Sequence, residues 1–328
     1  MNQEIEQLNK QAIEFSTLLQ KLHKEISTII VGQDKIIEKL IMALLSQGHV
    51  LLEGVPGLAK TLLVQTVSDC IDSKFVRLQF TPDLLPADIT GTKIYDHTSG
   101  TFKTIKGPIF SNFILADEIN RAPPKVQSAL LEAMQEKQVS IQGETHRLEK
   151  PFFVMATQNP IESEGTYKLP EAQVDRFMFK LLISYPDKEQ ESKIINRFTE
   201  GIFHKASKIL SISDILNMQD FVPKIYCDEK IRNYVTEIVD ATRHPNNYGL
   251  LLTDKIEFGA SPRASIWLTI GAKANAVLHG RGYVIPKDVQ DVAYDILRHR
   301  ILLTYEAESE NISPDDMIKK ILDKITIP

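Results

Sequence analysis

The stretch HVLLEGVPGLAKTLL, residues 49–63, joins a short apolar run to a turn with two glycines and a proline, and then to a Lys-Thr pair. An apolar run that stops at glycine after residue 53 reads as a buried strand. The strict phosphate-loop pattern wants a glycine five places after the first, then lysine, then serine or threonine. Here Gly54 opens the loop, but Ala59 stands where the last glycine belongs, ahead of Lys60 and Thr61. Such a site needs a tight turn, backbone N–H groups converging at a helix start, an ammonium and a hydroxyl for magnesium. Gly54 and Gly57 can make the turn, Lys60 carries the charge and Thr61 the hydroxyl. Alanine at 59 is expected in an ordinary right-handed conformation, as a helix start allows. Taken by itself, the loop could also be a glycine turn before a helix with an incidental Lys-Thr.

A second stretch weighs against that plainer reading. NFILADE, residues 112–118, is an apolar strand that delivers Asp117 and Glu118 at its carboxyl end. Ligands of open parallel sheets bind at that end. Asp117 suits magnesium, and Glu118 suits polarising a water against a terminal phosphate; a helix cap is the structural rival. With the loop upstream, nucleotide hydrolysis is the better reading. Asn159, in MATQNP, brings an amide to the same edge, where it could orient the water or contact the phosphate. Asn-Pro is also a common turn pair, and spacing does not separate the two roles.

The strand pattern continues on both sides. Apolar runs at 74–80, 152–158 and 177–183 complete five short strands separated by helices or long crossings, which predicts a mostly parallel α/β sheet covered on both faces. Helical spacing is found over 4–26, 34–46 and 124–136. GTKIYDHTSGTFKTIKGPIF (91–110) and KQVSIQGETHRLEKP (137–151) break the alternation and read as inserted hairpins. After residue 187 the pattern turns helical, near 188–199, 228–241, 262–279, 287–298 and 313–323. The division expected is therefore a nucleotide-binding α/β domain with its leading helix over 1–187, and a small all-helical lid over 188–328.

Composition sets the outer limits. A chain of 328 residues suits two domains, and 43% hydrophobic with 25% charged residues is ordinary for a soluble globular protein. A formal charge of -5 argues against a broad nucleic-acid surface. Two distant cysteines, Cys70 and Cys227, fit a reducing compartment and supply no zinc pattern. No signal-like segment and no run of transmembrane length is found, so a cytoplasmic location is expected. The histidines show no ligand spacing and read as structural.

With these residues in place the chain resembles the AAA+ ATPases, and within them the MoxR family, over roughly residues 15–310. The resemblance is carried by EGVPGLAKT, LADEINRAPPKVQSALLEAMQEKQVS, FFVMATQNPIESEGTYKLPEAQVDRF and GASPRAS, in that order. Alanine at 59 is what that family shows. The resemblance implies an AAA+ core with inserted hairpins and a lid, binding ATP and Mg2+. It implies nucleotide contacts from Gly54, Val55, Pro56, Gly57, Leu58, Ala59, Lys60, Thr61 and Leu62, with Val31 and Gly32 near the adenine. Lys60 would contact the β- and γ-phosphates, Thr61 and Asp117 would serve magnesium, and Glu118 would be the catalytic base. Asn159 would be a first sensor and Arg263 a second, reading the γ-phosphate from the lid. Arg176 would be an arginine finger reaching a neighbouring subunit's nucleotide. Each arginine has a plain alternative: Arg176 as ion-pair partner of Asp175 or Glu171, Arg263 as decoration of a helix start. Arg121 is a further residue for a subunit interface.

The resemblance further implies a homo-oligomeric ring, most often a hexamer, that works chaperone-like on other proteins. It matures or activates them, in some cases by metal insertion, and a separate protein with a von Willebrand A domain is the expected partner. The runner-up is an AAA+ motor on nucleic acid, for which Lys93, Lys103 and Lys106 beside Asp96 make a poor basic track. A chelatase subunit shares the architecture and differs mainly in its partners. A scaffold without turnover fits badly with a complete set of site residues, and the Gly-Ala-Phe-Thr-Gly-Ala loop of sigma-54 activators is missing.

Overall fold

The computed structural model describes residues 2–55, 57–98, 100–159, 166–201 and 204–328. The chain opens with α1 (Asn2–Ile29) and α2 (Asp34–Leu45), followed by β1 (Val50–Gly54), α3 (Lys60–Ile71) and β2 (Phe75–Gln79). A short α4 (Pro86–Thr90) leads into the hairpin β3 (Gly91–Asp96) and β4 (Thr101–Lys106), and then β5 (Phe113–Asp117). Helix α5 (Pro124–Glu136) precedes the hairpin β6 (Gln138–Ile141) and β7 (Glu144–Arg147), with β8 (Phe153–Gln158), α6 (Glu171–Val174) and β9 (Phe179–Ile183) behind it. The remainder holds α7 (Lys188–Thr199), α8 (Ile212–Phe221), α9 (Glu229–Arg243), β10 (Ile256–Phe258), α10 (Pro262–Leu278), α11 (Pro286–Leu297), β11 (Leu302–Leu303), α12 (Tyr305–Ser309) and α13 (Pro314–Lys324).

Five strands form one sheet in the order β2-β5-β8-β1-β9, with every pairing parallel. Side chains alternate across a strand, and the burial follows that period. Val50, Leu52, Phe113, Leu115, Phe153 and Met155 face a cluster built on α1, α2, α3 and the lid helices. Leu51, Ile114, Ala116, Val154 and Ala156 face the opposite cluster, with Val126, Leu130 and Met134 of α5. Covering both faces explains why these strands read as unbroken apolar runs. Registers of Gln79 with Asp117, Ala116 with Ala156 and Leu52 with Thr157 bring the ends of β2, β5, β8 and β1 to one edge.

Both inserted hairpins are antiparallel pairs. Gly91 takes φ +97, and a Cβ there would lie 2.2 Å from the Ile105 carbonyl oxygen, so the first hairpin needs glycine where it begins. Lys93 of one hairpin pairs with Glu144 of the other at 2.7 Å. His49, entering β1, accepts from the Val154 N–H at 3.1 Å and lies 3.3 Å from the Met134 carbonyl. Burial holds its pKa down to about 4, so the ring is a neutral structural element, as the sequence suggested.

The helical part goes beyond the sequence expectation. It includes a short antiparallel ribbon, β10 with β11, and the helix α8. The leading helix, assigned by sequence to the α/β domain, touches both halves. It packs on α2 and α3 and also on α10, where Ser16 donates to the Leu278 carbonyl at 2.7 Å and Gly282 N–H donates to Asn9 Oδ1 at 2.7 Å.

Candidate functional site

The loop after β1 is shaped by its glycines. A Cβ at Gly54 would come within 2.9 Å of the Ile183 carbonyl oxygen of β9, and Gly57 takes φ +86. Ala59 corrects the sequence expectation: it lies at φ 53, ψ 27, in the left-handed region, not the right-handed one. The last glycine of the strict pattern suits that conformation, and an L-residue there carries a cost of roughly 1–2 kcal/mol. Helix α3 starts at Lys60, whose Nζ donates to the Gly54 carbonyl at 2.6 Å. Burial lowers the Lys60 pKa, while the nearby charges of Asp117 and Glu118 act to raise it. Thr61 lies in the same first turn; Pro56 falls outside the described residues.

Asp117 ends β5, and Glu118 follows in the left-handed region at φ 58, ψ 50. A non-glycine residue held there carries a conformational cost that its surroundings must offset. Thr157, on β8, explains how it is held. Its hydroxyl donates to Asp117 Oδ1 at 2.7 Å and accepts from the Glu118 N–H at 2.8 Å. Asp117 Oδ2 accepts from Arg77 Nε at 3.0 Å and Nη2 at 2.6 Å. Glu118 Oε2 accepts from Gln79 Nε2 at 2.8 Å and from Arg121 Nη1 at 3.0 Å. Arg77, Gln79 and Thr157 were missed by sequence reasoning. Their signal was faint: polar side chains at the end of otherwise apolar strands. Asn159 is buried just past the end of β8, at the same edge.

Magnesium fits the donors assembled here. It favours oxygen, keeps several waters, and is commonly held by one or two protein oxygens plus substrate phosphates. The Asp117 carboxylate already carries a positive group, the Arg77 guanidinium, on one of its oxygens.

A cavity of about 720 Å³ adjoins the loop. Val31 and Gly32 line it together with Gly57, Leu58, Ala59 and Leu62, so the predicted adenine segment and the phosphate loop do share one space. Ile183 at the end of β9, Tyr185 and Pro186 from the link after it and Ile194 of α7 complete apolar walls of the size and kind that suit a purine. A second cavity of about 270 Å³, beside Lys137 and Phe152, contains none of the predicted site residues.

The two remaining arginines sit together elsewhere. Asp175 accepts from Arg263 Nη1 at 3.0 Å, from Arg300 Nε at 2.7 Å and from the Ser261 hydroxyl at 3.1 Å. Arg263 is therefore bonded next to Arg176, and it is not among the residues lining the 720 Å³ cavity. Arg176 is the neighbour of that carboxylate in the chain, yet among the described residues its guanidinium has no hydrogen-bond or ion-pair partner. The plain alternative for it, pairing with Asp175 or Glu171, is not what the structure contains.

A phosphate loop after β1, an acidic pair at the end of β5 and a purine-sized cavity lined by that loop define a P-loop nucleotide hydrolase with a helical lid. The model of the ATPase family associated with various cellular activities (AAA) matches residues 49–179, and that of the AAA lid domain matches 251–321. Chaperone MoxR1 of Mycobacterium tuberculosis is 50% identical over 306 residues, covering 93% of this chain and 81% of its own. Protein MoxR of Methylorubrum extorquens is 29% identical, with 94% of each chain covered. A crystal structure of a Cytophaga hutchinsonii protein described as a candidate ATPase superposes with a TM-score of 0.93 at 49% identity, over 99% of each chain. The chain belongs to the MoxR family of AAA+ ATPases. It is an ATPase by that membership, and binding of ATP with Mg2+ and assembly into a homo-oligomeric ring are consistent with the family. Among the described residues no helix is long and apolar enough to cross a membrane.

Proposed function

We propose that the chain hydrolyses ATP between subunits of a homo-oligomeric ring, a hexamer being the assembly the family resemblance implies, and uses the cycle to remodel or mature partner proteins. The observation that carries this reading is the convergence of Lys60, Asp117 and Glu118 at one sheet edge, next to the loop residues Gly57, Leu58 and Ala59 that line the cavity. The nucleotide-binding unit would be residues 1–187 and the lid 188–328.

In this reading Lys60 leaves the Gly54 carbonyl to contact the β- and γ-phosphates, and the N–H groups opening α3 face the same anion. Thr61 and Asp117 would hold magnesium, which supplies neutralisation of charge on the phosphate oxygens when bound. Glu118 takes the proton of the attacking water, and Thr157 keeps its backbone in place through the 2.8 Å bond. Asn159 orients that water or senses the phosphate. Arg176, unpaired in its own subunit among the described residues, would reach the neighbour's γ-phosphate. Arg263 would act as second sensor, and must first part from Asp175.

A protein client, with a von Willebrand A-domain partner the first choice, fits the name of the M. tuberculosis relative, a chaperone. Nucleic acid is disfavoured because Lys93 of the insert is already paired with Glu144. The two free, buried cysteines suit a cytoplasmic setting.

The test is affinity capture from native extract with Glu118→Gln protein held in ATP and magnesium, against Lys60→Ala. The glutamine variant should bind nucleotide and stall. Proteins enriched only in the stalled form support the remodelling role; nucleic acid and its processing factors in their place would overturn it.

A further inference from the structure

Both carboxylates that end β5 carry a guanidinium, and one of these is placed where a metal would act. Arg77 directs Nε and Nη2 at Asp117 Oδ2, at 3.0 and 2.6 Å, and Nη2 also donates to Gln79 Oε1 at 2.7 Å. The Thr157 hydroxyl takes one acceptor site of Oδ1, and Arg77 sits on Oδ2, the oxygen that Thr157 leaves free for a cation. Lys60, the positive group of the phosphate loop, is engaged by the Gly54 carbonyl and does not take this place.

We propose that Arg77 is a displaceable counter-ion: it holds Asp117 while magnesium is absent, yields when magnesium enters with nucleotide, and so sets the magnesium concentration at which the site loads. The proposal rests on the ATPase reading above. The parallel register explains the reach, since Gln79 is opposite Asp117 and Arg77 is two residues earlier on the same face of β2. Exposure explains the exchange. The Arg77 side chain is 48% exposed, so the freed guanidinium can be hydrated at once; pairs of this kind contribute little to stability and are screened by solvent. A guanidinium and a magnesium ion cannot share one carboxylate oxygen without strong repulsion at contact distance.

The rival is a fixed prop, in which Arg77 orients Asp117 for the metal. The two ideas differ in sign. A prop that is removed weakens magnesium binding, whereas a competitor that is removed strengthens it.

The experiment is a magnesium titration of the full chain, read by calorimetry at saturating ADP, for wild type, Arg77→Gln and Arg77→Lys. Arg77→Gln should lower the magnesium midpoint about 1.5- to fivefold, the range for loss of one exposed competing pair. ADP affinity in EDTA should be unchanged. Arg77→Lys keeps the charge without the planar fork, and should fall between the other two. An unchanged or raised midpoint in Arg77→Gln overturns the proposal. So does a midpoint in Arg77→Lys as low as that of Arg77→Gln, because a positive charge kept at this position would then not compete with magnesium. If wild-type protein binds no ADP with magnesium at all, the ATPase reading has failed instead, and the two failures are told apart by that first curve.

Discussion

Asp117 and Asp175 are both aspartates gripped by arginines and are about equally buried, but the exposure of the arginines makes the two pairs opposites. At Asp117 the partner, Arg77, is 48% exposed, while at Asp175 the Arg300 side chain is 1% exposed. Burial lowers the Arg300 pKa to about 10, against the opposing pull of Asp175, and its guanidinium also donates to the backbone carbonyls of Asp175 and Phe177. An arginine with water on one side can let go and be hydrated. One without water cannot, because an uncompensated buried charge is costly. The same pair chemistry thus gives an exchangeable contact at the catalytic edge and a staple between the α/β core and the lid. Asp175 serves both kinds of partner, since Arg263, at 39% exposed, shares the carboxylate with Arg300.

The largest effect should come from Arg176, the residue beside the staple, whose guanidinium has no partner among the described residues. Arg176→Ala should reduce phosphate release by about 10³ to 10⁵, the range for arginine fingers, with nucleotide affinity retained. Turnover that survives at every protein concentration would remove Arg176 from the neighbouring site. Next, the two aspartates should separate in urea denaturation. Asp175→Ala should cost ~3–5 kcal/mol, as for a broken buried pair, and Asp117→Ala only ~0–1 kcal/mol. Equal losses would break the comparison between them. The smallest effect belongs to the loop. Ala59→Gly relieves a left-handed alanine at a cost of roughly 1–2 kcal/mol, less roughly 0.5–1 kcal/mol of added chain entropy in the unfolded state. A net gain of about 0–1.5 kcal/mol should therefore appear as a slightly higher denaturation midpoint; a clear loss would mean that the Ala59 methyl makes packing contacts that glycine forfeits.

Much of this was legible in sequence because the signals are local. The five strands were marked by apolar runs that stop at turn residues, and the lid helices by Ser-Pro starts such as Ser261-Pro262 and Ser313-Pro314, both of which cap as serines should. Lys60, Asp117 and Asn159 could be placed at one edge because each follows a strand of the same kind. The conformation of Ala59 was misjudged, since the neighbouring residues alone permit either hand at a helix start. Arg77, Gln79 and Thr157 needed the registers of β2, β5 and β8, which no local pattern states.

The amino-acid sequence by itself determined the family, the order of strands and helices and the identity of the phosphate loop. Those depend on periodicity and on residue types within a few positions of one another. Only the tertiary structure decided which charges meet. Asp175 and Arg300 lie 125 residues apart, and Asp117 and Arg77 lie 40 apart. Whether either arginine is a staple or an exchangeable partner follows from how much water its packing leaves, a property of the folded chain that no stretch of residues carries alone.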